Sequence, residues 1–168
     1  MRLYHGSNLA VEKPRLLGQT RGLDFGPGFY LTTSESQAAR FSEIVVRRNK
    51  DGIATVGVYD FDAEAAEKTL AVRKFEYADV EWLRFVTDHR MKTYSGEACD
   101  VVIGPVANDT VMPTIQAFLS GFLNEEATLL TLKTSKLADQ VCLKSDQALA
   151  LLRFIRAYKI KGDGIHER

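Results

Sequence analysis

An excess of charge of either sign is missing from this sequence: 22 lysines and arginines are matched by 22 aspartates and glutamates over 168 residues. Without a global basic surplus, the simplest ground for a nucleic-acid or anionic-membrane binder is gone, because no cation reservoir exists to displace phosphate counterions. Cysteine is scarce. Cys99 and Cys142 stand singly in apolar stretches, which excludes a disulfide scaffold and favours two reduced, small hydrophobes in a cytoplasmic setting. Only 4 prolines and 12 glycines are present, too few for collagen-like or low-complexity chains. No apolar run approaches the ~20 residues that cross a bilayer, and the opening MRLYHGSNLAVEKP lacks the apolar core of a signal peptide. What remains, 45% hydrophobic and 26% charged, describes one domain with a core of its own. It is read as residues 1–160, followed by a polar tail at 161–168.

Residues 2–5 predict a short strand ending at the Gly6-Ser7 turn signal, and 9–27 a glycine- and proline-punctuated loop. Phe29–Thr32 is a β-prone run. Thr33-Ser34-Glu35-Ser36 then supplies cap chemistry for a helix over about 35–48. Strands are expected at 53–61, 69–75, 100–103 and 139–143. Helices are expected after Asp79, at roughly 109–122 and 124–133, and from Ser145 to about Tyr158, where Ala148, Leu151, Leu152, Ile155 and Tyr158 fall at helical spacing. Strands and helices do not alternate regularly, so the class is α+β rather than doubly wound.

Several motifs carry little. Asp24-Phe25-Gly26 lacks the lysine strand and catalytic loop that would make it a kinase metal motif, and the glycines at 22, 26 and 28 do not form a dinucleotide fingerprint. His5, His89 and His166 have no metal-ligand spacing to one another or to the cysteines, so no metal is expected. The aromatic and basic stretch 73–94 reads as a helix whose core face is Trp82, Phe85 and Val86. Glu125 and Glu126 suit a helix start, and Asn108-Asp109 a helix cap. His5 and Tyr30 differ: one is a ring at a strand end followed by close-approach backbone, the other an aromatic face inside a turn-to-strand passage.

Leu3-Tyr4-His5-Gly6-Ser7, followed by Phe25-Gly26-Pro27-Gly28-Phe29-Tyr30-Leu31-Thr32, resembles the first two NAD-binding blocks of the diphtheria-toxin-like ADP-ribosyltransferases, in the form of the poly(ADP-ribose) polymerase branch. Residues 33–41 continue the likeness, and 100–109 and 139–143 resemble a group of short bacterial proteins in that superfamily. The resemblance implies a split β-sandwich with peripheral helices and NAD as co-substrate. It implies that the His5 ring meets the adenosine ribose, that the Gly6 backbone, next to Ser7, meets the nicotinamide carboxamide, and that Tyr30 stacks on the nicotinamide. Phe41 would be a second aromatic wall, Ser36 (with Thr33 as rival) a hydroxyl for the carboxamide, and Arg21 and Asp24 contacts for adenine or phosphates.

Where the superfamily usually places a glutamate, this sequence has Gln140, flanked by Asp139; Glu126 and Asp109 are alternative carboxylates. Glutamine keeps the hydrogen bond and loses the charge, so polymer elongation is not expected. Mono-ADP-ribosyl transfer, slow NAD hydrolysis and binding without turnover are all compatible with it. The acceptor is expected to be protein rather than nucleic acid. A toxin-like role with an antitoxin or immunity-type partner fits the same resemblance, and no membrane partner is expected.

Overall fold

The computed structural model describes residues 1–18, 22–107, 111–133 and 139–160. Arg21, Asn108, Asp109 and His166 lie outside these residues, so the roles suggested for them are not addressed by the structure. Among the described residues the chain forms six helices and one open, mixed seven-stranded sheet, which bears out the α+β class.

The order along the chain is β1 (Arg2–Ser7), β2 (Phe29–Thr32), α1 (Glu35–Asn49), β3 (Thr55–Phe61), α2 (Ala63–Thr69), β4 (Val72–Lys74), α3 (Val80–Met91), β5 (Val101–Pro105), α4 (Met112–Leu119), α5 (Glu125–Leu132), β6 (Asp139–Leu143), α6 (Asp146–Ala150) and β7 (Leu152–Lys159). Across the sheet the strands run β4-β5-β6-β2-β1-β3-β7. All neighbours are antiparallel except β4 and β5.

The helices that the sequence marks most clearly are capped as expected. Ser34 accepts from the Gln37 N–H at the start of α1, and Asp79 from the Trp82 N–H at the start of α3. Both helices end on a left-handed lysine, Lys50 and Lys92. Two expectations fail. Thr69 closes α2, a short helix capped by Asp62 with a Glu64–Lys68 pair one turn apart, so the strand expected from 69 shrinks to Val72–Lys74. The helix expected from Ser145 to Tyr158 ends at Ala150, and β7 follows. The outer edge of β3 offers β7 seven paired positions, a hydrogen-bonding partner far in sequence that helical spacing cannot reveal. A register shift between Val58 and Tyr59 leaves Ile155 as the extra residue, which breaks the period-two alternation that would have announced a strand.

Both faces of the central part of the sheet are buried. Leu3, Phe29, Leu31, Tyr59, Phe61, Val101, Ile103, Val141 and Leu143 pack on one face with Ala66 of α2 and Ala148 of α6. Val102 and Cys142 face the other side, against Phe25, Trp82, Phe85, Val86 and Ile115. On that second face α1 lies directly on β1: a Cβ at Gly6 would stand 2.1 Å from the Ala38 carbonyl oxygen. Glycine is required there by close approach, whatever else its backbone does.

Candidate functional site

The β1–β2 junction is where the sheet is weakest. β1 makes six ladder pairs with β3, but only Tyr4↔Thr32 joins it to β2. Continued antiparallel, that register would set Gly6 opposite Tyr30. Instead the Tyr30 carbonyl accepts a hydrogen bond from His5 Nδ1–H at 2.7 Å. A side chain has taken the place of a ladder bond, and the strands part beyond it.

Alternation tells which backbone groups line this gap. Met1 and Phe61 exchange both of their hydrogen bonds, Met1 N to Phe61 O at 2.7 Å and Phe61 N to Met1 O at 2.8 Å. Odd-numbered residues of β1 therefore turn N–H and C=O toward β3, and even-numbered ones turn them away, toward β2. Gly6 thus directs one donor and one acceptor to the β2 side, beyond the last β1–β2 pair.

A carbonyl only accepts, so the His5 proton sits on Nδ1. Burial depresses the ring's pKa from 6.5, opposed by the Tyr30 bond, and the neutral ring keeps an acceptor lone pair on Nε2. Phe29 packs against the ring at 4.4 Å between centroids. Because the folded state disfavours the imidazolium, the unfolded chain binds the extra proton. The His5 contribution is complete above about pH 6.5 and is lost as pH falls below it. We expect His5→Gln to flatten the fall in melting temperature between about pH 7.5 and 5.5. The residual slope would come from His89, also depressed mainly by burial. An unchanged slope would mean that the His5 ring is not held neutral.

Tyr30 is tied to its own loop. Its hydroxyl donates to the Gly26 carbonyl at 2.5 Å and accepts from the Phe25 N–H at 3.0 Å, and burial pushes its pKa far up. It is therefore no acid or base near neutrality; what it can offer a ligand is its ring. Gly26 makes this fold-back with φ +76°. Lys144 donates to the Phe25 carbonyl, and Arg90 holds Asp24 through Nε at 2.7 Å. Asp24, 7% exposed, is engaged inside the protein rather than presented to adenine or phosphates.

Gln140 pairs with Thr32 of β2 on one side and Gly104 of β5 on the other, on the same sheet face as Tyr30 and Cys142. His5, Tyr30 and Gln140 thus stand on three adjacent strands, but their side chains do not converge: His5 emerges on the face of Leu3 and Phe29, the other two on the opposite face. Ser36 is exposed in the first turn of α1, its Oγ 3.1 Å from Ser34 Oγ. Phe41 is 44% exposed beside the buried stripe Ala38, Ser42, Val45. Asp139 is exposed, and its carbonyl accepts from Thr33 N and Thr32 Oγ1. Glu125 binds Arg84. Trp82, Phe85 and Val86 form the core face of α3, as expected.

A family model described as "Protein of unknown function (DUF3990)" matches residues 1–154. The chain belongs to the DUF3990 family. No curated protein and no solved structure matches it. The family match runs from β1 into β7 and so takes in the β1–β2 gap, the Tyr30 loop and Gln140.

In this DUF3990 chain a cleft of about 620 Å³ lies elsewhere, between the loop before α3 and α5, lined by Tyr77, Ala78, Val80, Pro105, Leu129 and Lys133 among others. It contains none of the residues around the β1–β2 gap. Its lining mixes apolar groups with Glu76, Tyr77, Asp79 and Lys133. Among the described residues no group of three His, Cys, Asp or Glu could hold a metal, and no helix is long and apolar enough to cross a membrane. Both cysteines are free, and burial pushes the Cys142 thiol up to about 12. Sequence reasoning missed the Asp24–Arg90 pair, since 66 residues separate its partners.

Proposed function

We propose that this chain is an NAD-dependent mono-ADP-ribosyltransferase that releases nicotinamide and passes ADP-ribose to an acceptor, more readily a protein than a nucleic acid. The observation that carries the reading is the parted β1–β2 junction, where His5 and Gly6, two residues of the motif that resembles the transferases, present an acceptor nitrogen and a main-chain donor–acceptor pair. A primary carboxamide such as nicotinamide's needs one donor and one acceptor side by side, which is what Gly6 offers. Nε2 of a neutral His5 would accept from a ribose hydroxyl. The Tyr30 ring, its hydroxyl already committed, would stack on nicotinamide, with Phe41 as a second wall and Ser36 near the carboxamide. The single-pair junction also suits the split β-sandwich that the resemblance implies.

NAD supplies the glycosidic bond that breaks, through a state with positive charge on the ribose. Protein groups then have mainly to hold and orient the dinucleotide while neutral nicotinamide departs. Gln140 would bond a ribose hydroxyl without contributing charge. That absence favours mono-transfer over elongation, and it supports a second reading: a module that binds NAD or ADP-ribose, or a protein partner of the antitoxin kind, without turnover.

The test is incubation of the protein, alone and with cell lysate, with NAD labelled in the adenylate, scoring both labelled protein and free nicotinamide. Wild type should transfer label or release nicotinamide, and His5→Ala and Tyr30→Ala should each cut the rate by roughly 100-fold. Equal activity in all three proteins overturns the assignment of the site. No activity with retained NAD binding leaves the second reading in its place.

A further inference from the structure

The sheet ends in two unlike edges. β4 closes one side with 3 residues, a length that leaves little main chain open to pairing. β7 closes the other with 8, the longest strand among the described residues, and no described strand lies beyond it. The ladder fixes which of its groups are left over. Odd-numbered residues of β3 turn their main chain to β1, so Val56, Val58 and Asp60 turn theirs to Tyr158, Arg156 and Arg153. The Ile160 N–H on the Ala54 carbonyl and the Asp62 N–H on the Leu151 carbonyl continue that series at both ends. Leu152, Phe154, Ala157 and Lys159 therefore present N–H and C=O outward, with no described strand to take them.

The two sides of this edge differ in chemistry. On the side of α1, Arg153 reaches Asp60 at 3.1 Å, Arg156 lies over the Tyr158 ring at 5.4 Å, and the Tyr158 hydroxyl bonds Glu35 at the start of α1. On the opposite side Leu152 and Phe154 pack half-buried on the core, the Phe154 ring edge-on to Tyr59 at 5.6 Å. β7 carries Arg153, Arg156 and Lys159 and no carboxylate. The one carboxylate on Arg153, that of Asp60, is shared with Arg2 and the chain's amino terminus.

We propose that the outer edge of β7 is a docking site for an extended segment of a partner protein, which pairs as an added strand with acidic side chains on the α1 side and apolar ones on the other. Main-chain hydrogen bonds give the grip, and alternate side chains give the selectivity. Acidic residues at every second position meet Arg153 and Arg156, and opposite charges across neighbouring strands stabilise the pairing. Apolar residues between them extend the cover over Leu152 and Phe154. A second copy fits less well, because pairing β7 with β7 doubles the cations on one edge. The bulge at Ile155 breaks the flat edge on which identical chains aggregate, yet leaves outward groups on either side of it. This inference stands apart from the transferase reading, since it uses none of the residues around the β1–β2 gap.

The probe is a blocked synthetic peptide as long as β7 in which glutamate alternates with valine. Its controls are the lysine counterpart and a scrambled peptide of the same composition with its glutamates consecutive. Amide hydrogen exchange of the intact protein, followed residue by residue by NMR, reads the edge. The alternating glutamate peptide should slow exchange at Leu152, Phe154, Ala157 and Lys159 by roughly 10-fold, and both controls should leave it unchanged. In the double variant Arg153→Glu, Arg156→Glu the preference should reverse toward the lysine peptide. Should that variant fail to fold, Arg156→Glu alone should weaken the glutamate peptide by roughly 3-fold. No slowing with any peptide, or equal slowing with all of them, overturns the proposal. Slowing that rises with protein concentration in the absence of peptide also overturns it and puts a second copy on the edge. None of these results touches the transferase reading, which is decided by label transfer.

Discussion

Gly6→Ala should lower the melting temperature by about 10 °C, while Gly18→Ala should leave it within about 2 °C. The added Cβ at position 6 would stand 2.1 Å from the Ala38 carbonyl oxygen and 2.9 Å from the Ser42 nitrogen, whereas at position 18 nothing lies within 4 Å. Both neighbours at position 6 are helix backbone, so no side-chain rotation relieves the contact and α1 must lift from β1. Overpacking of a rigid neighbour costs ~3 kcal/mol or somewhat more, and a chain of this size loses ~2–4 °C per kcal/mol. The measurement is a circular-dichroism melt of the three proteins side by side. Coincident melts would mean that α1 does not rest on Gly6. The result also bears on function, because lifting α1 moves Phe41 relative to β1. Loss of activity in this variant therefore says nothing about the Gly6 main chain as a ligand, which is why His5 and Tyr30 carry the functional test.

Trp82→Ala is the second large effect. The indole is fully buried among Phe25, Phe75, Phe85 and Ile115, and its Nε1–H donates to the Pro105 carbonyl at 2.9 Å. Truncation removes the largest fully buried side chain, leaves a cavity and strands an acceptor at the end of β5. The expected loss is about 3–5 kcal/mol, a third or more of the ~5–15 kcal/mol that holds a domain of this kind together. Trp82→Phe should cost less than half as much, since it keeps most of the volume and gives up only the hydrogen bond and a small void. Urea unfolding of both variants measures the ratio. Equal costs would assign the effect to the hydrogen bond and not to packing.

The local elements were legible in the sequence because their determinants are local. Ser34 and Asp79 cap the helices they precede, and Ala38 and Val45 in α1, like Trp82, Phe85 and Val86 in α3, lie at the spacing that puts them on one buried side. The motif around His5 and that around Tyr30 could be read because each keeps its residues within a few positions on one strand. β7 could not be read so. Ala148, Leu151, Leu152, Ile155 and Tyr158 satisfy helical spacing, and the bulge at Ile155 hides the strand period. What decides between the two is the vacant edge of β3, about 90 residues earlier in the chain. α2, by contrast, carries a local signal: Asp62 as cap, an alanine-rich stretch, and glutamate four residues ahead of lysine.

The irregular order of strand and helix signals determined the α+β class by itself, and the scarcity of cysteine excluded a disulfide scaffold. The tertiary structure decided how His5, Tyr30 and Gln140 relate. It set them on adjacent strands but on opposite faces, and replaced a ladder bond by the His5–Tyr30 contact. It joined Asp24 to Arg90 and left Gln140 Nε2 buried without a hydrogen bond. The physical reason is range. Caps and periodicity act over a few residues and are written in the sequence. Strand parting, side-chain facing and buried charge pairs depend on which distant segments meet, and only the folded chain fixes that.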